Sequence, residues 1–207
     1  MKLIRKCVIF AIVIVISLFP LQNFAASSET IYTPAYSEAQ GTNNWQLCEF
    51  CGTESYELTL DNNKAYWRYG NNYFPYIRTS DKIICPAKDS DTGFIFTAPA
   101  TGMVRIKGKI ECLTSLNSVA VKIHKDMTDI WSGEISYGKP ADYDVTIPVE
   151  KGEKLYFKVC ADYKYAANNI LWIPTVEYVD TAYTPDAWYS YLQEHNGKYT
   201  ALKFDQN

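Results

Sequence analysis

Three observations predict an all-β protein built as an antiparallel β-sandwich. Apolar residues recur with a period of two through the middle of the chain, and turn-forming clusters interrupt them roughly every ten residues. No amphipathic helix lies between the alternating runs, which argues against a parallel α/β sheet.

The alternation is clearest over 103–112, where Val104, Ile106, Ile110 and Cys112 point one way and Arg105, Lys107, Lys109 and Glu111 the other. In 118–124, Val119, Val121 and Ile123 alternate with Ala120, Lys122 and His124. Val145, Ile147 and Val149 lead into Glu150-Lys151-Gly152-Glu153, a hairpin turn, and Leu155, Phe157 and Val159 return. One dry and one wet face on each run is the pattern of strands packed sheet on sheet. Shorter strand-like pieces lie between 46 and 80, broken by the turn formers Asp61-Asn62-Asn63 and Gly70-Asn71-Asn72. One short helix is expected near the C-terminus: Thr184-Pro185 supplies a cap and an N1 proline, Trp188, Tyr191, Leu192 and His195 share a face, and Gly197 stops it.

The chain begins Met-Lys-Leu-Ile-Arg-Lys, continues as an apolar run from Cys7 to Pro20, and reaches Asn23-Phe24-Ala25-Ala26. Basic, apolar and small segments in that order define a secretory signal peptide. The run is shorter than the roughly 20 residues that span a bilayer. Cleavage after Ala25 or Ala26 is expected to release a secreted protein with no membrane anchor. The expected organisation is a signal peptide over 1–25, a sandwich over 26–180, and a helix and tail over 181–207. Cleavage removes Lys2, Arg5 and Lys6 and no acid, taking the net charge from -3 to -6. A mildly acidic domain without clustered Lys and Arg is a poor partner for nucleic acid or anionic membrane.

Five cysteines follow the signal: Cys48, Cys51, Cys85, Cys112 and Cys160. Cys48 and Cys51 have C-x-x-C spacing, yet no second such pair exists, and the histidines are only His124 and His195. A Cys48–Cys51 disulfide or plain thiols are expected ahead of a metal site, with Cys112 a small buried hydrophobe. Neither histidine has a Ser or Cys partner nearby in sequence, and the motifs of serine hydrolases, zinc proteases, P-loops and dinucleotide folds are all missing. Two carboxylate groups merit weighing, because glycosidases work without histidine. Asp142 and Asp144 flank Tyr143 and share a strand face, and Asp89-Ser90-Asp91-Thr92-Gly93 resembles part of a calcium loop without its third acid or distal Glu. A solvated turn or the start of a strand is the expectation for both. No cofactor is expected; a structural calcium held by backbone carbonyls would leave almost no trace in a sequence.

Aromatic residues make up 15% of the chain and cluster beside amides. Trp45, Tyr66, Trp67, Tyr69, Tyr73, Phe74 and Tyr76 sit among Asn43, Asn44, Asn62, Asn63, Asn71, Asn72 and Arg68. Sugar rings offer flat C–H faces to aromatic side chains, and their hydroxyls need the donors and acceptors that Asn, Arg and Tyr supply. Tyr66 and Trp67 are adjacent, so on a strand at most one of them enters the core. Ligand contact is expected from Trp45, Tyr66, Trp67, Arg68, Tyr69 and Tyr73.

Several segments occur together in order: Gln40-Gly41-Thr42-Asn43-Asn44-Trp45, Tyr73-Phe74-Pro75-Tyr76-Ile77, Phe96-Thr97-Ala98-Pro99-Ala100-Thr101-Gly102, Ile130-Trp131-Ser132, 149–157 and Trp172-Ile173-Pro174-Thr175-Val176. In this order they resemble the galactose-binding-like jelly-roll modules of secreted bacterial carbohydrate-active enzymes and surface proteins, over about residues 31–179. The resemblance implies jelly-roll topology and a non-catalytic accessory domain that holds glycans or cell-surface polysaccharide. Two features depart from it: no catalytic domain accompanies the sandwich, and Glu153 stands where Asp is frequent after Lys-Gly. Two other functions compete, an exported adhesion or structural protein binding a protein partner, and a small polysaccharide-active enzyme using Asp142 and Asp144.

Overall fold

Alternation along the sequence becomes pairing between strands. The computed structural model describes residues 30–179 apart from 37–38, 62, 64, 71–73, 115–117 and 161–167; the expected signal peptide and C-terminal helix lie outside the described residues. Among the described residues there are fifteen strands: β1 (Ile31–Tyr32), β2 (Trp45–Cys51), β3 (Glu54–Glu57), β4 (Thr59–Leu60), β5 (Tyr66–Arg68), β6 (Tyr76–Arg78), β7 (Ile83–Cys85), β8 (Asp91–Thr97), β9 (Gly102–Cys112), β10 (Val119–Lys125), β11 (Thr128–Ile135), β12 (Ala141–Val149), β13 (Lys154–Val159), β14 (Ile170–Trp172) and β15 (Thr175–Tyr178). Every ladder between them is antiparallel.

One sheet has six strands in the order β11-β10-β13-β8-β2-β3, and the other has nine. In the larger sheet the 11 residues of β9 carry β12 along one edge. Along its other edge β15 pairs with the first half and β14 with the second. From β14 the sheet continues through β7, β6, β5 and β4, and β15 carries β1. Consecutive strands repeatedly change sheet, as at β8–β9, β9–β10 and β12–β13, so each sheet holds the other in place through the chain as well as through packing.

The residues predicted to point inward do so, Val145 being partly buried against the core and the others fully buried. Val104, Ile106, Ile110, Cys112, Val119, Val121, Ile123, Ile147, Val149, Leu155, Phe157 and Val159 are all buried in one core. Its centre is aromatic: Trp45 lies 5.0 Å from Phe157 and 5.1 Å from Phe96 between ring centroids, and Trp172 lies 5.8 Å from Phe157. Tilted and edge-on rings fill the layer between sheets while setting ring edges against ring faces. Three buried polar tips at the sheet interface are paired. The Trp172 indole N–H donates to the Tyr143 hydroxyl (2.8 Å), the Tyr36 hydroxyl donates to the Trp172 carbonyl (2.8 Å), and Trp67 donates to the Tyr36 carbonyl (2.6 Å).

One inward position carries charge. Lys125 follows Ile123 in phase at the end of β10, where the register with β11 shifts, and only 9% of it is exposed. Its ammonium meets Glu153 Oε1 at 2.9 Å and donates to the Pro148 carbonyl at 3.1 Å. The other Glu153 oxygen accepts the Glu150 backbone N–H at 2.8 Å, closing the β12–β13 hairpin. This explains the departure from Asp: one carboxylate both reaches the buried ammonium and caps the turn. Glu153→Ala should therefore cost about 2 kcal/mol, since it takes the carboxylate from a buried ammonium and the acceptor from a turn N–H together. Glu150→Ala, which keeps its backbone donor, should stay within about 0.5 kcal/mol. Urea unfolding midpoints with unchanged slopes would check the pair.

Candidate functional site

At the β4–β7 end of the larger sheet, alternation separates core from surface. Trp67 and Ile77 are buried against the opposite sheet. The residues on either side, Tyr66 and Arg68 on β5 and Tyr76 and Arg78 on β6, therefore face outward, and all four are half-buried. The register sets Tyr66 opposite Arg78 and Arg68 opposite Tyr76, so rings and guanidiniums alternate as on a chequerboard. The Arg68 guanidinium lies 4.5 Å from the Tyr66 ring centroid and 5.9 Å from that of Tyr76. Tyr66 meets Tyr76 edge-on at 5.3 Å, and Phe74 stacks on Tyr76 at 5.6 Å with 25° between planes. A cis Phe74–Pro75 bond lies in this turn.

Hydrogen bonds fix the strip from both sides. Arg78 grips Asp81 through Nε (2.7 Å) and Nη2 (2.5 Å), and a hydrogen bond also links it to the Tyr66 side chain. That fork holds the Asp81 carboxyl below its usual range. The Tyr76 hydroxyl donates to Asn169 Oδ1 at 3.2 Å. Burial, with Cys85 as the next cause, pushes the Tyr76 phenol up to about 12, so it is a neutral donor at any ordinary pH. Cys85 lies opposite Tyr76 in the register, and burial pushes its thiol up to about 11. Tyr69 stands further along, 42% exposed, with its ring 5.2 Å from that of Tyr56 on the other sheet's edge strand.

The structure corrects part of the expected ligand set. Trp45 and Trp67 are 1% and 3% exposed and belong to the core, so neither offers a ring face to a ligand. Trp45 shares the inward phase of Leu47, and at the Tyr66-Trp67 pair it is the tryptophan that points inward. Tyr66, Arg68 and Tyr69 are at the surface, and Tyr73 lies outside the described residues. Tyr76 was not among the residues singled out for ligand contact, although it is central to the strip. The signal was its place two residues beyond Phe74 and one before an apolar Ile77, which requires an outward ring.

The amide-rich loop before Trp45 is structural. Asn43 and Asn44 adopt positive φ (55° and 67°), a conformation asparagine tolerates better than most residues. The Gln40 side chain donates to the carbonyls of Leu47 and Leu58 and accepts the Leu47 N–H, tying the loop to β2.

Asp142 and Asp144, weighed from the sequence as a carboxylate pair, are both exposed on β12. Asp144 is gripped by Arg105 at 2.7 and 2.5 Å, which holds its carboxyl below the usual range, the opposite of what a general acid requires. Arg105 and Lys107 both reach Glu177, at 3.7 and 2.9 Å, completing a surface network. Asp91 begins β8, and Ser90 donates to the buried Glu49 at 2.5 Å. Among the described residues no group of three or more His, Cys, Asp and Glu could hold a metal ion. Cys48 is buried and Cys51 exposed, three residues apart on one strand, and no disulfide joins any two of Cys48, Cys51, Cys85, Cys112 and Cys160. About 10 Å of strand separates Cys48 from Cys51, too far for a disulfide.

No protein-family model matches the chain, and no curated protein matches it in sequence. Among solved structures it is similar to the CBM22-1 xylan-binding domain of Paenibacillus barcinonensis Xyn10C, at 12% identity and TM-score 0.39, covering 76% of this chain and 100% of that one. It is also similar to CBM35 from Cellvibrio japonicus Abf62 (12%, TM-score 0.36, 75% and 100%) and to Pika GITRL (12%, TM-score 0.33, 65% and 97%). Similarity at this level assigns the chain to none of these families.

Proposed function

We propose that the protein is a secreted, non-catalytic carbohydrate-binding module with jelly-roll topology, and that it binds glycan on the outer face of β5 and β6. One observation carries this reading: Phe74, Tyr76 and Tyr66 form a row of half-buried rings, flanked by the guanidiniums of Arg68 and Arg78 on the same face. Rings held by their neighbours stack on sugar faces at little cost in side-chain entropy, and guanidinium N–H groups and the Asn169 amide match sugar hydroxyls. The surrounding strands are scaffold, because their outward charges are already paired with one another.

A glycan array with the full chain, followed by calorimetry on the best ligand, tests the proposal. Tyr66→Ala and Tyr76→Ala should each weaken binding about tenfold or more, as loss of a buried aromatic contact does at other interfaces. Tyr137→Ala removes a ring that is 62% exposed on the link between β11 and β12, and should leave affinity unchanged. Equal affinity in all three variants, with near-UV spectra matching the parent, would place binding elsewhere and sink the proposal.

A further inference from the structure

At one end of the sandwich the inward face of the six-stranded sheet turns from apolar to acidic. Leu47 and Phe94 stand opposite each other in the core, and two residues further on the same face stand Glu49 and Thr92. Glu49 is 7% exposed and its carboxylate accepts the Ser90 hydroxyl at 2.5 Å. Thr92 is fully buried beside it, and its hydroxyl has no hydrogen-bond partner. On the other side Glu49 pairs with Tyr56, whose hydroxyl donates to Glu54 and whose ring meets that of Tyr69. Tyr69 directly follows Arg68, so this end adjoins the strip on β5 and β6.

The local charge is one-sided. Residues 48–57 and 88–92 hold Glu49, Glu54, Glu57, Asp89 and Asp91 against a single base, Lys88. Among the described residues no ion pair joins Glu49, Glu54 or Asp89 to a cation. Lys158 lies on the opposite face of the sheet, against the Phe50 ring. The exposed Cys51 follows Glu49 in the same phase, and its thiol is raised, first by burial and then by the charges of Glu49, Asp89, Asp91 and Glu54.

A buried carboxylate without a counter-charge is costly, and so is a buried hydroxyl without a partner. An ammonium group answers both. Its N–H donors suit the oxygens of Glu49, Ser90 and Thr92, and its charge suits the faces of Tyr56 and Tyr69. Among the described residues no three acids converge as a metal ion requires, which favours an organic cation. We infer that this acidic end binds the ammonium group of an amino sugar whose amine is free, with the rest of the glycan on the neighbouring strip. The inference rests on the glycan-binding reading of that strip.

The test measures binding of the full chain to an oligomer of glucosamine and to the same oligomer fully N-acetylated, at mildly acidic pH, where the free amines are charged. The free-amine form should bind about tenfold tighter or more, and the difference should shrink between about 50 and 500 mM salt. Glu49→Gln keeps the side chain's shape and an acceptor for Ser90, and should erase the preference. Glu54→Gln, at the exposed rim, should reduce it severalfold and carries the test if Glu49→Gln fails to fold. Asp142→Asn, an exposed acid on β12, should leave it intact. If the two oligomers bind alike, the inference falls and the glycan reading stands. If Asp142→Asn lowers the preference as much as Glu49→Gln, general surface charge accounts for it and the inference falls. If calcium ion alone binds and Glu49→Gln abolishes that binding, the end is a metal site and the inference falls. If neither oligomer binds, the inference falls, and the array alone decides the glycan reading.

Discussion

Replacing Trp45 by alanine is expected to cost about 3–5 kcal/mol of folding stability, lowering the melting temperature by roughly 10 °C. The indole is 1% exposed and meets Phe94, Phe96 and Phe157, which come from two strands of its own sheet. Removing it leaves a void that these rings, themselves fully buried and pinned by their strands, cannot close. Trp45→Phe should recover most of the loss. It keeps a ring in the layer and deletes an indole N–H that has no acceptor among the described residues. Thermal unfolding of the three proteins gives the ranking. A Trp45→Ala protein as stable as its parent would show that the ring is not part of the core. The same variant would lose glycan binding only by unfolding, so its affinity has meaning only below its melting transition.

Trp45 also shows where sequence reading stopped. Every residue placed inward by period-two alternation over 103–159 is inward, because on long paired strands the alternation and the burial are the same fact. The segment 66–78 has strands of three residues, too short for a period to declare its phase. Adjacency still showed that Tyr66 and Trp67 must part, but which one entered the core depended on the opposing sheet. Trp45 is expected at a ligand surface as one of the aromatics clustered among amides, Asn43 and Asn44 next to it. Those asparagines are polar for a backbone reason, their positive φ, and say nothing about the side chain that follows them. In the sequence, Glu153 is only a departure from Asp within a turn. Its partner Lys125 is 28 residues away in sequence and becomes visible only once β10 and β13 are paired.

The second large effect is expected at Gly93, for the opposite physical reason. A Cβ built there would lie 1.9 Å from the Phe157 carbonyl oxygen and 3.0 Å from its carbon, both backbone atoms of the neighbouring strand β13. Gly93 pairs with Lys158 on one side and Cys48 on the other, in the interior of the six-stranded sheet. A methyl group can be accommodated only by parting β8 from β13, which disturbs the ladder that carries Phe94, Phe96, Leu155 and Phe157 into the core. Gly93→Ala should therefore cost about 3 kcal/mol or more, beyond the ordinary range for overpacking by one methyl. Gly133→Ala is the matched comparison. Its Cβ would meet the Trp131 ring edge at 2.8 Å, a half-buried side chain on an edge strand rather than a neighbour's backbone, and the cost should be about 1 kcal/mol. Urea unfolding of both variants separates the cases. Equal, small losses would mean that β8 and β13 adjust as readily as a half-buried indole, and that the close approach at Gly93 is not what requires glycine there.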